Sequence, residues 1–221
     1  MQKIRVLAAP GPVSYPLIAA KSNILELTFG KEGTGEIVLD STISLIRRNI
    51  PFNVSLIGKL FLVYPFLGET IGVWRKGSVG DLLTRIAIDL EARNSRILYG
   101  ETQQEVMQLL KTGKTDSAVI TSSFGDGVPF ESIFKKHGLS MPGNCAAFVS
   151  DEYMDVFKEE YERGVNEIRS NPETSSKYIS SVLPIKIEPS FISSVILKSE
   201  VMVRRVTDSN KFIDLASSYV N

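Results

Sequence analysis

The chain carries one cysteine, Cys145, and one histidine, His137, among 221 residues. A lone cysteine excludes an intrachain disulfide and any cysteine-built zinc site. A lone histidine excludes a histidine-rich metal centre, so neither metal nor cofactor is expected. Net charge is also missing, because 25 lysines and arginines balance 25 aspartates and glutamates. A nucleic-acid binder normally shows a basic excess or stripe, so nucleic acid is not an expected partner. The densest charge run, Lys158-Glu159-Glu160, reads as a solvated helix face. No stretch approaches the roughly 20 apolar residues of a membrane span. The start does not read as a signal peptide either. After Gln2-Lys3 the apolar run 4–10 is interrupted by Arg5 and ends in Pro10-Gly11-Pro12. For the sequence as written a cytoplasmic location follows; a preceding leader would make it extracytoplasmic. There is no internal repeat and no low-complexity segment.

What is present centres on residues 68–120. Residues 70–74 are a short run rich in β-branched and aromatic residues, which predicts a strand. Ser78-x-x-Asp81 opens an apolar pattern at Leu82, Leu83, Ile86, Ala87 and Leu90 with helical spacing. A second strand is predicted at 96–99. Thr102-x-x-Glu105 then opens a helix that Gly113 stops, and a third strand runs over 117–120. Strand, helix, strand, helix and strand with short links make a small α/β lobe.

The order Gly-x-x-Ile-x-Val, Lys-Gly-Ser, helix, strand, then Thr112-Gly113-Lys114-Thr115-Asp116 resembles the second lobe of solute-binding proteins. The branch it is most similar to is the type II periplasmic-binding fold of nitrate, sulfonate and thiamine-precursor binders. In that branch a helix ends in a small-Gly-x-x-Asp step and the next strand begins at the Asp. The resemblance implies an α/β, two-lobed fold with two crossing strands, a helical C-terminal tail and a ligand cleft between the lobes. It places lobe 1 at 1–70 plus 145–221 and lobe 2 at 76–141, with 70–74 and 145–149 crossing.

Elsewhere strands are predicted at 4–9, 24–29, 36–39 and 144–149, with one long or kinked strand over 53–63. Helices are predicted from Ser14, over 43–48, after Pro129, after Ser150 or Asp151, and in a tail opened by Asn171-Pro172, Glu188-Pro189 and Asp208-Ser209. The glycine-rich run 30–35 lacks a closing Gly-Lys-Ser/Thr, so it reads as a flexible loop and not a nucleotide cradle.

Three strand-to-helix turns share one chemistry: Gly11 to Tyr15 (with Val13 and Ser14), Asp40-Ser41-Thr42, and the turn carrying Ser78. Free backbone N–H groups and the positive end of the helix dipole favour an anion at such turns. Parallel α/β sheets bind ligands at the carboxyl ends of their strands. Thr121 and Ser122, at the end of a lobe 2 strand, add hydroxyls. The expected site is therefore Gly11, Val13, Ser14, Tyr15, Asp40, Ser41, Thr42, Ser78, Thr121 and Ser122, holding a small polar, anionic solute. The alternative for each serine or aspartate is a plain N-cap stabilising its helix by about 1 kcal/mol. Asp40 opposes a strongly anionic ligand unless its carboxylate points away or meets an amino group. Trp74, Arg75 and Cys145 read as packing, surface and filler residues, and His137 as a helix-end cation. No catalytic arrangement is expected. The alternatives to solute binding are a small dehydratase-like enzyme on the same fold or a ligand-sensing regulatory module, with a transporter or regulatory protein as partner.

Overall fold

The computed structural model describes residues 3–220. In chain order, β1 (Ile4–Ala8) passes through a 3-10 turn at Pro12–Ser14 into α1 (Tyr15–Ala20) and β2 (Leu25–Phe29). Next come β3 (Ile37–Ser41), α2 (Thr42–Arg47), β4 (Val54–Gly58), β5 (Phe61–Tyr64) and β6 (Thr70–Trp74). Then follow α3 (Val79–Leu90), β7 (Arg96–Gly100), α4 (Gln103–Lys111), β8 (Ser117–Thr121), β9 (Val128–Pro129) and α5 (Phe130–Lys136). The chain continues with β10 (Cys145–Val149), α6 (Met154–Ser170), α7 (Pro172–Val182), α8 (Pro189–Lys198), β11 (Glu200–Arg205) and α9 (Asn210–Val220). These elements form two compact units. Unit 1 is the chain through Gly58 together with Pro142–Thr207; unit 2 is Lys59–Met141 together with the chain from Asp208 on.

Unit 1 is built on a six-stranded sheet ordered β11-β4-β10-β3-β1-β2. β1 runs parallel to β2 and β3, whereas β10 is antiparallel to both β3 and β4. The alternation along each strand sends Leu7, Val38 and Ala146 into one core cluster with Leu45 of α2. Helices α1 and α6 pack so closely that a Cβ on Gly164 would sit 1.7 Å from the carbonyl oxygen of Pro16, so only glycine fits there. The parallel connection from β2 to β3 is unusually short, where a crossover normally takes a dozen residues or more. The run 30–36 manages it without a helix by lying on the sheet, and a Cβ on Gly35 would be 2.9 Å from the carbonyl oxygens of Arg5 and Ile37.

Unit 2 holds a five-stranded sheet ordered β7-β6-β8-β5-β9. The amphipathic pattern of α3 puts Leu82, Leu83, Ile86 and Ala87 in the core. Ser78 caps this helix by accepting from the Asp81 N–H at 3.2 Å, and Thr102 caps α4 by accepting from the Glu105 N–H at 3.1 Å. The Thr112-to-Asp116 step has a direct mechanical role. Gly113 takes φ +70, and the Asp116 carboxylate accepts from the N–H groups of Glu69 and Thr70 at 3.0 and 3.1 Å, joining the starts of β6 and β8. Gly68 makes room for it, since a Cβ there would lie 2.0 Å from Asp116 Oδ1.

The unit boundaries differ from the sequence expectation. Lys59 turns the chain with φ +53, so the apolar run 53–63 splits into β4 and β5, which belong to different sheets. The strand Thr70–Trp74 forms over the predicted residues but is an interior strand of unit 2, paired with β7 and β8. Likewise β10 is an interior strand of unit 1. The last helix packs in unit 2: the Phe212 ring lies 5.4 Å from that of Phe134, and the Tyr219 hydroxyl donates to Asp89 of α3. The sequence reading missed β9 and β11 entirely.

Gly68→Ala is expected to lower the stability of the protein by about 1–3 kcal/mol in urea unfolding, as overpacking does. In an Asp116→Ala background most of that cost should vanish, and additive effects would contradict the clamp. In unit 1, Arg5 forks onto Glu36 with contacts of 2.7 to 3.3 Å, and this hydrogen bonding holds the Glu36 carboxyl down to about 2. The folded value is depressed, so the contribution is complete above about pH 4.5 and is lost as pH falls toward 2. The urea midpoint of Glu36→Gln should therefore depend less on pH across that window than wild type does.

Candidate functional site

The carboxyl edge of the unit 1 sheet gathers segments distant in sequence. Ala8 lies opposite Leu39, Ser41 opposite Cys145, and Cys145 opposite Ile57. The Ala9 N–H donates to the Leu39 carbonyl at 2.9 Å, so the turn after β1 sits beside the turn after β3. Thr42 is tied from both ends: its N–H donates to the Asn144 carbonyl at 2.9 Å and its hydroxyl to the Gly143 carbonyl at 2.7 Å. Gly11, Val13, Ser14, Tyr15, Asp40, Ser41 and Thr42 thus share one edge. The loop 142–144, which sequence reasoning did not single out, completes it. Gly143 was a legible signal there: it adopts φ +101, and a Cβ on it would lie 2.8 Å from the Ile57 carbonyl oxygen.

The hydrogen bonds decide what each residue offers. Ser14 was expected as an N-cap, but its backbone is helical and its side chain makes no cap bond. Its hydroxyl instead donates backward to the Gly11 carbonyl at 2.9 Å, because the 3-10 turn brings that oxygen over it. Ser41 is the true cap of α2, accepting from the Ser44 N–H at 3.2 Å. Asp40 is buried and engaged by groups of the protein itself. It accepts from the Ser41 N–H at 2.7 Å and the Ser44 hydroxyl at 2.6 Å, and pairs with Arg48 at 3.0 Å. The same guanidinium donates to the Lys31 carbonyl, pinning the short β2–β3 connection. A buried carboxylate is tolerated only with such compensation.

Val13, Ser14, Tyr15 and Thr42 are buried. The Tyr15 hydroxyl has no hydrogen-bond partner, and neither does that of Tyr161 on α6. Burial pushes both phenols well above their ordinary range, and a charge on Cys145 would add to it. Cys145, buried and outside any disulfide, therefore lies within electrostatic reach of both rings.

In unit 2 the corresponding edge carries Ser78, Thr121 and Ser122. Ser78 donates to the Trp74 carbonyl at 2.6 Å while capping α3. Asp81, its capping-box partner, reaches the Gly77 N–H at 2.8 Å and accepts from Tyr99, whose phenol burial and that bond push up to about 12. Thr121 and Ser123 share one hydroxyl proton at 2.7 Å, and the Ser122 N–H donates to the Leu60 carbonyl at 2.9 Å. Trp74 donates to the Glu101 carbonyl at 2.8 Å, and Arg75 pairs with Glu101 at 3.2 Å. His137 meets Glu91 at 3.0 Å, which lowers the Glu91 carboxyl. Among the described residues no group of three or more His, Cys, Asp or Glu could hold a metal ion.

Residues 1–202 match the family described as "Protein of unknown function (DUF3834)". The chain belongs to that family. No curated protein matches it. Among solved structures it is similar to a putative nitrate transport protein from Thermoplasma volcanium, at 19% identity and a TM-score of 0.72, covering 98% of this chain and 90% of that one. It is also similar to an ABC transporter from Parabacteroides distasonis, at 14% identity and a TM-score of 0.59 over 99% and 93% of the two chains. A third likeness is to an alkanesulfonate-binding protein from Xanthomonas axonopodis pv. citri bound to MOPS, at 11% identity and a TM-score of 0.50 over 98% and 90%. These likenesses show the fold: an α/β, two-lobed periplasmic-binding-protein architecture. No helix among the described residues is long and apolar enough to cross a membrane.

Arg48→Leu is expected to destabilise the protein by about 3 kcal/mol, because it strands the Asp40 charge. Adding Asp40→Asn should recover much of that loss in chemical denaturation, whereas equal losses in single and double variants would show that the pair is not coupled.

Proposed function

We propose that this protein binds a small polar solute and does no chemistry on it. One observation carries the reading. Two turns separated by some 25 residues of chain, and a third segment a hundred residues on, converge at the carboxyl edge of one sheet, where α/β proteins take their ligands. The fold likeness to a putative nitrate transport protein and an alkanesulfonate-binding protein supports the same class of role. In this reading Gly11, Val13, Ser14, Tyr15, Ser41 and Thr42 form the recognition edge of unit 1, and Ser78, Thr121 and Ser122 that of unit 2. Asp40 holds the edge together and does not contact the solute. A role in transport, with a transporter protein as partner, extends the proposal.

A thermal-shift screen tests it. A solute present at 100 times its dissociation constant should stabilise the fold by about 2.7 kcal/mol. Ser41→Gly keeps all but a few tenths of a kcal/mol of helix stability, so a loss of solute affinity in that variant would be a loss of contact. Unchanged affinity in Ser41→Gly and Ser78→Gly would move the site away from these turns. Turnover of a bound compound would replace binding with catalysis.

A further inference from the structure

The six-stranded sheet of unit 1 ends in two edge strands, β2 on one side and β11 on the other. An edge strand presents a row of backbone N–H and C=O groups to any strand that can join it. β2 carries a single charge, Glu26, so its sequence favours no particular partner. β11 reads Glu200-Val201-Met202-Val203-Arg204-Arg205: acidic at its start, apolar in the middle and basic at its end. Val201, Met202 and Val203 are half-exposed, and Arg204 and Arg205 are exposed. The three apolar residues form one wall of a cavity of about 330 Å³ whose other wall, on α6, includes Tyr161, Val165 and Arg169.

An acid-to-base order along a strand is self-complementary when two copies pair antiparallel about a two-fold axis. Glu200 of each copy then stands opposite Arg205 of the other, and Val201 opposite Arg204. A parallel pairing in register would set arginine against arginine and glutamate against glutamate. Residues opposite each other in an antiparallel pair must also share a face of the sheet. For a two-fold pair, this requires Glu200 and Arg205 to lie on one face within a single copy. In a regular strand residues at these two positions would lie on opposite faces, because side chains alternate.

The bulge in β11 removes that conflict. Glu200 pairs with Gly58 and Val201 with Ile57, whereas Arg204 pairs with Ser55 and Arg205 with Val54. Met202 and Val203 together therefore stand against Leu56. Gly58 and Val54 lie on one face of β4, so Glu200 and Arg205 share a face. Ile57 and Ser55 lie on the other, so Val201 and Arg204 share that one. Bulges and charges commonly guard an edge against pairing. Here both are placed so that one register, the two-fold one centred on the bulge, is matched in charge and in face. Arg205 already meets Asp151 at 3.2 Å, but the two side chains are 63% and 83% exposed, and a surface pair of that kind holds its members weakly.

We propose that β11 is a self-association edge: two copies of this chain join antiparallel through it, with the bulges at the two-fold axis and the two unit 1 sheets continuing into one. Neither Glu200 nor Arg205 belongs to the recognition edge for solute, so pairing and solute binding are separate properties.

Sedimentation equilibrium of the full-length protein tests this. The wild type is expected as a dimer in concentration-dependent equilibrium with monomer. Glu200→Arg puts cations at both ends of the strand, and Arg205→Glu puts carboxylates at both. Each variant alone should therefore weaken the dimer tenfold or more. Mixed in equal amounts, the two variants should pair with each other at close to wild-type affinity, because each then meets the opposite charge. Misfolded variants would not restore each other in this way, and urea unfolding of each alone checks the native fold. A wild type that stays monomeric up to its solubility limit overturns the proposal, whether or not a strand of another protein takes the edge. A dimer that neither variant weakens also overturns it, because the copies then meet through another face. Weakening with no recovery in the mixture overturns the register, and the proposal with it.

Discussion

The neutralisation of Asp40 is the interaction on which unit 1 depends. A carboxylate at the end of β3, out of water, must be matched by donors or a charge. The match fixes three things at once. Ser41 and Ser44 are drawn to it, which starts α2 one residue after the strand. Arg48, at the far end of that helix, is drawn back onto it. The same guanidinium then holds Lys31, so the seven-residue crossover can lie flat on the sheet where a helix would normally stand. Thr42, two residues on, closes onto Gly143 and Asn144. Both donors of Thr42 therefore face the protein's own backbone.

Unit 2 solves a related problem in a different way. There the aspartate at the strand start, Asp116, is exposed, and it joins two parallel strands by taking the N–H groups of Glu69 and Thr70. Glycine at 68 is the counterpart of that contact, because any side chain would occupy the space of the carboxylate. In both units an acidic residue at a strand end organises the neighbouring backbone. Of the two only Asp40 lies at a carboxyl edge, and there it is matched by Ser41, Ser44 and Arg48.

Much of this was legible in the sequence because it is local. The strand Thr70–Trp74, the caps at Ser78 and Thr102 and the glycine stop at 113 are set by neighbouring residues. The amphipathic stripe of α9 was also readable, but a stripe says which face is buried and not in which core, so the helix was given to the wrong unit. β11 was hidden because Glu200-Val-Met-Val-Arg-Arg is a half-exposed edge strand directly after a helix, with no turn residue to separate them. The candidate turns were picked by residue type and by place in the chain. Their polarity was not legible, because a serine before a helix looks the same in sequence whether its hydroxyl accepts from the helix or donates to a carbonyl. Only the 3-10 turn at Pro12–Ser14 decides that for Ser14.

The central claim is that the hydroxyl protons of Ser14 and Thr42 are committed inside the protein before any solute arrives. Proton NMR of the solute-free protein reads this directly. The account predicts distinct hydroxyl resonances for both residues, in slow exchange with water and coupled to the carbonyls of Gly11 and Gly143. Hydroxyl protons that merge with the water line at both positions would contradict it, since they would then be available to an incoming anion.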